Sequence, residues 1–250
     1  MQTELTGLAR PARAVRRVRH EVKRRDLTVT GVEAVGRHFV RVTLGGEALA
    51  DFASDSFDDH VKLLFPVPGG EPVMRDYTPR AFDRARRELV IEFVLHEEGP
   101  ASDWARQARV GQTLVVAGPR GSMVIPTDYD WHLLVGDASA LPALCRRVAE
   151  LPADARVHVL ALLPGQADGI GLPASSHVRL TQVQDDAALL QSLRAMPWPD
   201  GEGFVWCAGE ATLMKQVRHL VLEERAHPKE AARIAAYWKR GVSDHHERLD

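Results

Sequence analysis

The hydrophobic pattern of this chain changes its period near residues 126–130, and this change constrains the fold more than any other feature. Before it, short runs with apolar residues at every second position predict β-strands, and turns rich in Gly and Pro separate them. After it, apolar strands alternate with helical segments, which is typical of βαβ units in a parallel sheet. We therefore predict two domains that meet near Pro126–Asp130.

The first half, residues 27–126, carries about six predicted strands with regularly spaced turns. This arrangement favours a closed antiparallel barrel or a sandwich over an open sheet. One helix interrupts the strands, beginning at Gly99-Pro100 and continuing to Ala108.

In the second half, predicted strands at 131–135, 156–163, 177–180 and 203–207 alternate with helices at 141–151, 185–195 and 210–225. Open α/β sheets bind ligands beyond the carboxyl ends of their strands. Two such ends have small residues that would let a dinucleotide approach the backbone. They are the segments 136–140 and 207–211, and neither has the spacing of a Gly-x-Gly-x-x-Gly fingerprint.

The composition is that of an ordinary globular protein, with 45% hydrophobic and 26% charged residues. No apolar run approaches the roughly 20 residues that span a bilayer. The N-terminus lacks the apolar region of a secretory signal. We predict a cytoplasmic protein with no membrane partner.

Charge is concentrated at the start of the chain. Residues 1–25 carry eight Arg or Lys and two Glu, while the whole chain has a net charge of −2. Basic arms bind nucleic acid or membrane surfaces in some proteins, and Arg-rich starts also resemble transit peptides. Because nothing downstream resembles a nucleic-acid module, we interpret the segment as a solvated, partly frayed arm.

Two cysteines, Cys145 and Cys207, stand alone in the sequence. Four thiols would be needed for an iron–sulfur cluster, so any redox chemistry must use an organic cofactor. A disulfide between them is not expected in the cytoplasm. Asp244, His245 and His246 have the side chains of a metal site, but in a polar tail we interpret them as solvated and predict no bound metal.

The hexapeptide Arg75-Asp76-Tyr77-Thr78-Pro79-Arg80 carries ligand-binding chemistry between two apolar runs. Side chains alternate along a strand, so Arg75 and Tyr77 are expected on one face and Thr78 on the other. A guanidinium binds pyrophosphate bidentately, an aromatic ring packs on a flat ring, and a hydroxyl bonds a ring nitrogen. The segment suits a flat, phosphorylated ligand, although an ordinary barrel strand can have the same short pattern.

The helix predicted after Gly99-Pro100 offers a place for the phosphates of such a ligand. Proline is favoured in the first helical turn, and the unpaired amides there form an anion site. Ser102 can equally be a helix cap and Trp104 a packing residue, so both interpretations stay open.

The Arg-x-Tyr-Thr pattern of the hexapeptide resembles the flavin-binding signature of the ferredoxin-reductase superfamily. There the arginine contacts the FAD pyrophosphate, the tyrosine packs on the isoalloxazine, and the hydroxyl bonds near flavin N5. The C-terminal run 236–246 resembles the ending of siderophore-interacting proteins, which are FAD-dependent ferric-siderophore reductases. Segments 60–66, 99–105 and 136–142 are similar to the same family, so the resemblance covers residues 26–246.

The resemblance implies an N-terminal six-stranded antiparallel barrel that binds FAD and a C-terminal parallel-sheet α/β domain that binds NAD(P)H. We place the basic arm at 1–25, the barrel at 26–127, and the nucleotide domain with its Tyr-Trp-Lys-Arg segment at 128–250. A Cys-Gly pair lies beside the nicotinamide in the superfamily. The implied cofactor-binding residues are His60, Lys62, Arg75, Asp76, Tyr77, Thr78, His96, Gly99, Ala101, Ser102, Trp104, Gly136, Asp137, Ser139, Ala140, Cys207, Gly209, Glu210, Tyr237 and Trp238.

Several of these residues also have a plainly structural interpretation. Lys62 could be an exposed barrel charge, and Cys207 a buried small hydrophobe. Tyr237 and Trp238 could be core aromatics. The sequence alone does not choose between the two interpretations.

The resemblance implies reduction of ferric siderophores, the substrate, by electrons from NADPH or NADH. We predict Thr78, Lys239 and Arg240 as the catalytic residues, the last two because they form a basic cluster that can attract an anionic chelate beside Tyr237 and Trp238. A flavin reductase with another acceptor and a flavin-bearing siderophore carrier without turnover remain open. Segment 162–169 has no acidic residue for a ribose before Asp168 and no arginine for a 2′-phosphate, so the donor is undecided. We predict a monomer without nucleic-acid partners.

Overall fold

A computed structural model describes residues 13–67, 69–95, 99–163, 171–172 and 176–242, and the backbone of 247–248. The strands in these ranges are β1 Arg16–Arg19, β2 Arg24–Val35, β3 Phe39–Gly45, β4 Val61–Phe65, β5 Val73–Tyr77, β6 Ala81–Asp83, β7 Glu88–Val94, β8 Thr113–Ala117, β9 Gly121–Val124, β10 Trp131–Asp137, β11 Val157–Leu162, β12 Val178–Val183, β13 Gly203–Glu210, β14 Ala232–Trp238 and β15 Glu247–Arg248. The α-helices are α1 Pro100–Gln107, α2 Leu141–Glu150, α3 Asp186–Ala195 and α4 Ala211–His219. Short 3₁₀ turns lie at Glu47–Leu49, Ala138–Ala140 and Lys229–Ala231, and a π-helical turn at Leu220–Glu224.

The first half forms a curled antiparallel sheet in the order β5-β4-β8-β2-β3-β7-β6. Alternate side chains of its strands turn inward, as the period-two pattern predicts, and fill one core with residues such as Leu44, Leu63 and Ile91. Within the described residues the sheet has seven strands, one more than predicted. The missed strand, β6, has three residues and too little apolar pattern to identify from sequence.

The described part of the N-terminal arm is not frayed, because residues 16–19 form a strand, which corrects that part of our interpretation. Arg16, Arg17, Arg19 and Arg24 are exposed to solvent, as we expected, and residues 1–12 lie outside the described residues. β1 pairs antiparallel with β9, and Arg25 is buried. The Arg13 side chain is 5% exposed and contacts Asp130 at 3.1 Å and Glu202 at 2.7 Å. These acidic partners, far along the chain, hold the arm against the second half of the protein.

The second half forms a parallel sheet in the order β12-β11-β10-β13-β14, with β15 added antiparallel at one edge. Buried side chains of α2 pack on one face of this sheet, and those of α3 and α4 pack on the other. The predicted helical face of Leu141, Leu144, Val148 and Leu151 is buried, as its spacing indicates. The order of strands reverses between β10 and β13, which makes their carboxyl ends the topological switch point.

Two adjacent arginines of α2 bind the two halves together. Arg146 donates to Oγ and O of Ser54, both at 2.8 Å, and to the carbonyl of Pro79 at 2.9 Å. Arg147 donates to the carbonyls of Ile125 at 3.2 Å and Pro126 at 2.6 Å. Burial lowers the pKa of Arg147 to about 10, against the opposite effect of Glu150. Both guanidiniums thus satisfy backbone carbonyls at the junction of the sheets.

Candidate functional site

The buried carboxylate of Asp137, at the carboxyl end of β10, organises the switch point. Its Oδ1 accepts from the amide of Ser139 at 2.9 Å and from the Ser139 hydroxyl at 2.5 Å. Its Oδ2 accepts from the amide of Glu210 at 3.0 Å and from Nε1 of Trp238 at 2.8 Å. Burial raises the pKa of Asp137, while these donors oppose that rise. One carboxylate therefore fastens the ends of β10, β13 and β14.

Glu210, at the end of β13, is the N-cap of α4. Its side chain accepts from the amides of Thr212 at 2.6 Å and Leu213 at 3.0 Å, and from the amide of Arg240 at 3.3 Å. Burial works against ionisation, but the amide donors prevail and hold the pKa of Glu210 below its usual range. The predicted ligand contacts Asp137, Ser139 and Glu210 are thus engaged with one another and with backbone amides.

The glycines of the two strand ends allow close packing. A Cβ on Gly136 would lie 2.6 Å from the Ala140 Cβ, and one on Gly209 would lie 2.7 Å from Oδ2 of Asp137. The packing of protein against protein accounts for these small residues, including Ala140. We predicted instead that they leave room for a dinucleotide.

The thiol of Cys207 lies in the apolar core on the side of α3 and α4 and is fully buried. Burial also raises its pKa far above the usual range of a thiol. The structure does not bring this side chain to the strand ends where we predicted a contact with the nicotinamide. The reason is the alternation of β13, which turns position 207 into the core.

The two halves of the predicted site meet at the hydroxyl of Tyr237, near the end of β14. It donates to Oδ1 of Asp58 at 3.1 Å. Oδ2 of Asp58 accepts from Nε of Arg233, which also lies on β14. Burial and the nearby Asp58 raise the pKa of Tyr237, so this phenol remains protonated and can donate. The loop before β4 is thereby joined to the nucleotide-domain sheet. Thr78, which follows β5, is buried.

The strand β5 carries the predicted flavin residues and lies at an edge of its sheet. The half-buried Arg75 donates to the neighbouring carbonyl of Met74 at 2.8 Å, and no carboxylate among the described residues pairs with it. The ring of Tyr77 packs on Phe93, with centroids 4.6 Å apart, and burial raises its pKa. An unneutralised guanidinium beside an aromatic ring on an open strand edge fits a flat ligand with phosphates.

Other predicted residues around β5 have protein partners. Nζ of Lys62 lies 3.1 Å from the carboxylate of Asp76 across the β4–β5 ladder, so each neutralises the other. His60 is half-buried just before β4. His96 lies outside the described residues.

The helix α1 begins after Gly99, and its first internal hydrogen bond runs from the amide of Asp103 to the carbonyl of Gly99. The side chains of Ala101, Ser102 and Trp104 are buried in the barrel core, and Ser102 Oγ lies 3.4 Å from the carbonyl of Val94. The backbone amides of this turn remain candidates for binding an anion.

The segment that follows β14 carries the predicted catalytic cations. Arg240 donates to Asp186 at 2.9 Å. Lys239 is exposed and forms no ion pair with the rest of the described chain. It follows Trp238, whose indole reaches Asp137. Lys239 is thus a free cation beside the switch point, whereas Arg240 is partly neutralised.

Sequence reasoning missed Asp58 and Arg233, which form a buried ion pair between the two halves. It also missed Arg146 and the buried Asp59. The available signal was the polar run 54–60 between apolar segments, and the pair of arginines in the otherwise apolar α2.

In the part of the chain that the structure describes, no helix is both long and apolar enough to cross a membrane. No group of three His, Cys, Asp or Glu side chains there is arranged to hold a metal ion. Asp244, His245 and His246 lie outside the described residues, so their interpretation as solvated stays a prediction.

Comparison with known protein families matches both halves of the chain. Residues 28–72 and 69–123 match the family described as siderophore-interacting FAD-binding domain, and residues 129–241 match the siderophore-interacting protein family.

Among curated proteins, the chain is 38% identical over 244 residues to the NADPH-dependent ferric-chelate reductase of Escherichia coli, with 89% of this chain and 95% of that protein covered. It is 28% identical over 243 residues to the ferric vibriobactin reductase ViuB of Vibrio cholerae, with 86% of this chain and 90% of that protein covered.

Solved structures confirm the predicted fold class. A siderophore utilization protein from T. fusca is similar with a TM-score of 0.86 and 36% identity, covering 94% of this chain and 98% of that one. The siderophore-interacting protein SipS from Aeromonas hydrophila has a TM-score of 0.80 and 30% identity, covering 91% and 94%. A ferredoxin reductase of carbazole 1,9a-dioxygenase, at 17% identity, shares the fold with a TM-score of 0.60. The match covers 84% of this chain and 64% of that one. The chain therefore belongs to the siderophore-interacting protein family.

Proposed function

We propose that this protein is a reductase that uses FAD and NADPH to reduce ferric siderophores. The names of two relatives support this function, since one is an NADPH-dependent ferric-chelate reductase and another a ferric vibriobactin reductase. The near-complete coverage of both supports the transfer of the activity to the whole chain. One nicotinamide gives a hydride, which carries two electrons, and each Fe(III) accepts one, so one NADPH reduces two ferric chelates.

The observation that carries the proposal is the hydrogen bond of 2.9 Å from Arg146 to the carbonyl of Pro79. Pro79 lies two residues after β5, the strand of Arg75, and Arg146 lies on α2, which follows the carboxyl end of β10 at the switch point of the parallel sheet. Hydride transfer requires the flavin and the nicotinamide to meet. This contact holds the end of the flavin strand beside the helix that follows the switch point, where the nicotinamide is expected.

We place FAD along residues 26–127, at the edge strand β5. Arg75 would bind its pyrophosphate, with help from the first backbone amides of α1, and Tyr77 and Thr78 would orient its ring system. The chemistry that FAD supplies when bound is the conversion of a two-electron hydride into single electrons.

We place the nicotinamide nucleotide on residues 128–250, beyond the carboxyl ends of β10 and β13. Asp137 and Glu210 would act there by fixing the backbone of the strand ends, because their oxygens already accept protein hydrogen bonds. Trp238, which is 38% exposed, would cover this end of the sheet.

The ferric siderophore is the substrate, and many such chelates are anionic. Lys239 is an exposed cation next to Trp238 and has no ion-pair partner within the described residues, so we propose that it attracts and orients the chelate near the flavin. Reduction weakens the complex, because hard oxygen ligands hold Fe(III) far better than Fe(II). We further propose a monomer in the cytoplasm, where the buried free thiols of Cys145 and Cys207 stay reduced.

The visible absorption spectrum of the purified protein tests this function at once. We expect a flavin spectrum that NADPH bleaches under anaerobic conditions. Addition of a ferric siderophore should then restore it, with two Fe(II) trapped by a chelator for each NADPH consumed. A colourless protein that does not bind added FAD would contradict the proposal.

A further inference from the structure

A cavity of about 320 Å³ lies at the opposite end of the parallel sheet from Asp137. Its walls include Trp131, the first residue of β10, and Val157, the first residue of β11. β10 rises about 3.3 Å per residue, so its two ends lie about 20 Å apart. The cavity is therefore separate from the site proposed for flavin and nicotinamide, and its volume suits a small ligand.

The basic side chains of the cavity come from two neighbouring strands. His158 is in register with Arg179 across the parallel β11–β12 ladder, and Arg156 precedes Val157, whose amide bonds the carbonyl of His177. Residues in register in a sheet share a face, and residues two apart on a strand share a face. Arg156, His158, His177 and Arg179 thus lie on one face, where they line the cavity.

Within the described residues, no carboxylate neutralises the positive charge of this cavity. No Asp or Glu occurs among the described residues that line it. Arg156 and Arg179 are exposed, and neither forms an ion pair with another described residue. Burial lowers the pKa of His132 to about 4 and also lowers the pKa of His158, so both are neutral at pH 7. Two guanidiniums without an ion-pair partner in the described part of the chain therefore face the cavity.

The opposite wall is aromatic and apolar. Trp131 and Trp198 pack edge to face with centroids 5.5 Å apart, and Met196, Pro197 and Pro199 extend the wall. His227 lies 5.2 Å from the Trp198 ring, which the guanidinium of Arg225 covers at 5.6 Å. Trp198 is therefore held in place on several sides before any ligand arrives.

We propose that this cavity binds a small aromatic carboxylate. The carboxylate would accept hydrogen bonds from the paired guanidiniums of Arg156 and Arg179, whose planar forks match its geometry. The ring would lie on the wall of Trp198 and its neighbours, where aromatic stacking adds to apolar burial. An inorganic anion would leave this wall uncovered, and a neutral aromatic ring would leave both guanidiniums unpaired.

Calorimetric titration of the full-length protein with benzoate tests the proposal. Acetate, inorganic phosphate and benzyl alcohol are the matched probes, since the first two lack the ring and the last lacks the charge. We expect benzoate to bind at least about tenfold more tightly than any of the three, corresponding to the loss of one charged or one stacking contact. Equal affinity for benzoate and acetate would overturn the proposal.

Substitutions in the walls of the cavity test whether benzoate binds there. The double variant Arg156→Gln/Arg179→Gln should weaken benzoate binding by about tenfold or more, because both charged contacts are lost. Trp198→Leu should also weaken it. Arg16→Gln/Arg24→Gln, which changes two exposed arginines on β1 and β2, should leave it unchanged and controls for the loss of two positive charges.

The outcome of the benzoate titration does not depend on whether the protein has the proposed reductase function. Binding that survives in Arg156→Gln/Arg179→Gln but is lost in Arg75→Ala would place benzoate at the flavin strand and overturn the inference. All of these substitutions except that of Trp198 are at exposed or half-buried arginines, so thermal unfolding should confirm that the variants remain folded.

Discussion

The hydroxyl of Tyr237 donates a hydrogen bond of 3.1 Å to Asp58, although 179 residues separate them in sequence. Asp58 belongs to the loop before β4, and Tyr237 to the last parallel strand of the other sheet. Because the same carboxylate accepts from Arg233, it is the polar centre of the junction between the two halves. The relative position of the flavin strand and the nucleotide sheet depends on this carboxylate.

Asp58→Asn should therefore destabilise the protein strongly. The substitution keeps the shape of the side chain but leaves the guanidinium of Arg233 buried without its counter-charge. Breaking one partner of a buried ion pair lowers the free energy of unfolding by about 3–5 kcal/mol. Urea denaturation measures this loss. Asp103→Asn, at an exposed carboxylate of α1, is the control and should change stability by less than about 0.5 kcal/mol.

A partial recovery of stability in the double variant Asp58→Asn/Arg233→Gln would support the charge explanation, because neither member of the pair then carries a charge. An Asp58→Asn protein as stable as the wild type would mean that the pair does not hold the junction.

The buried carboxyl group of Asp59 should make the stability of the protein depend on pH. It accepts from the hydroxyls of Ser122 at 2.6 Å and Ser54 at 2.9 Å, and burial raises its pKa from 3.8 to about 6. The folded state thus binds this proton more tightly than the unfolded state. The stability that the proton provides is complete below about pH 3.8 and is lost as the pH rises to 6, a change of about 3 kcal/mol.

The titration of His132 changes the stability of the fold in the opposite direction over the same pH range. Burial lowers its pKa from 6.5 to about 4, so its contribution to stability is present above pH 6.5 and is lost on acidification. The informative quantity is therefore the difference in unfolding free energy between wild type and Asp59→Asn at each pH. We expect the wild type to lose stability relative to the variant from pH 4 to 6.5. A constant difference would refute a raised pKa for Asp59.

Arg75→Ala should weaken FAD binding by about 10- to 100-fold, since a buried charge-assisted contact contributes about 1.5–3 kcal/mol. The prediction depends on the guanidinium having no carboxylate partner in the described chain, which leaves it available for phosphate. Fluorescence titration of apoprotein with FAD measures the affinity. Arg24→Ala is the control for lost charge and should bind FAD normally. Unchanged affinity in a folded Arg75→Ala protein would remove this residue from the flavin site.

Lys239→Ala should slow iron reduction while leaving flavin reduction by NADPH near normal. The lysine is exposed and unpaired within the described chain, so it can attract an anionic chelate without supporting the fold. This attraction fades with salt, because the Debye length falls from about 10 Å at 0.1 M to about 3 Å at 1 M. Each half-reaction is measured by stopped-flow over a salt series, and the variant should show a flatter salt dependence of iron reduction.

Equal slowing of both half-reactions by Lys239→Ala would assign the residue a structural role. Arg240→Gln is the matched comparison. Its guanidinium already binds Asp186, so its loss should affect iron reduction less.

The two kinds of sheet could be predicted from sequence because their periodicity is local. The alternation through Val40–Leu44 and the helical spacing from Leu141 to Leu151 each appear within a few residues. The short strand β6 lacked such a signal. The ordered arm was missed because its basic residues suggested solvent, whereas the acidic partners of Arg13 lie more than 100 residues away.

The candidate site was less predictable because several of its contacts join residues that are far apart in the sequence. The hexapeptide around Arg75 shows its chemistry in six consecutive residues. Asp58 and Arg233, in contrast, become partners only when the two sheets pack together. Cys207 was assigned to the site by resemblance, and the direction of its side chain depends on the register of a buried strand.

Reoxidation of the NADPH-reduced protein, followed by stopped-flow absorbance, tests the reductase account most directly. Reduced protein is mixed with a ferric siderophore in the absence of oxygen, and separately with oxygen alone. The account predicts that the ferric chelate reoxidises the flavin faster than oxygen does, at a rate that saturates with chelate concentration, and that two Fe(II) form for each flavin oxidised. Reoxidation by oxygen alone, with no Fe(II) formed from the chelate, would contradict it.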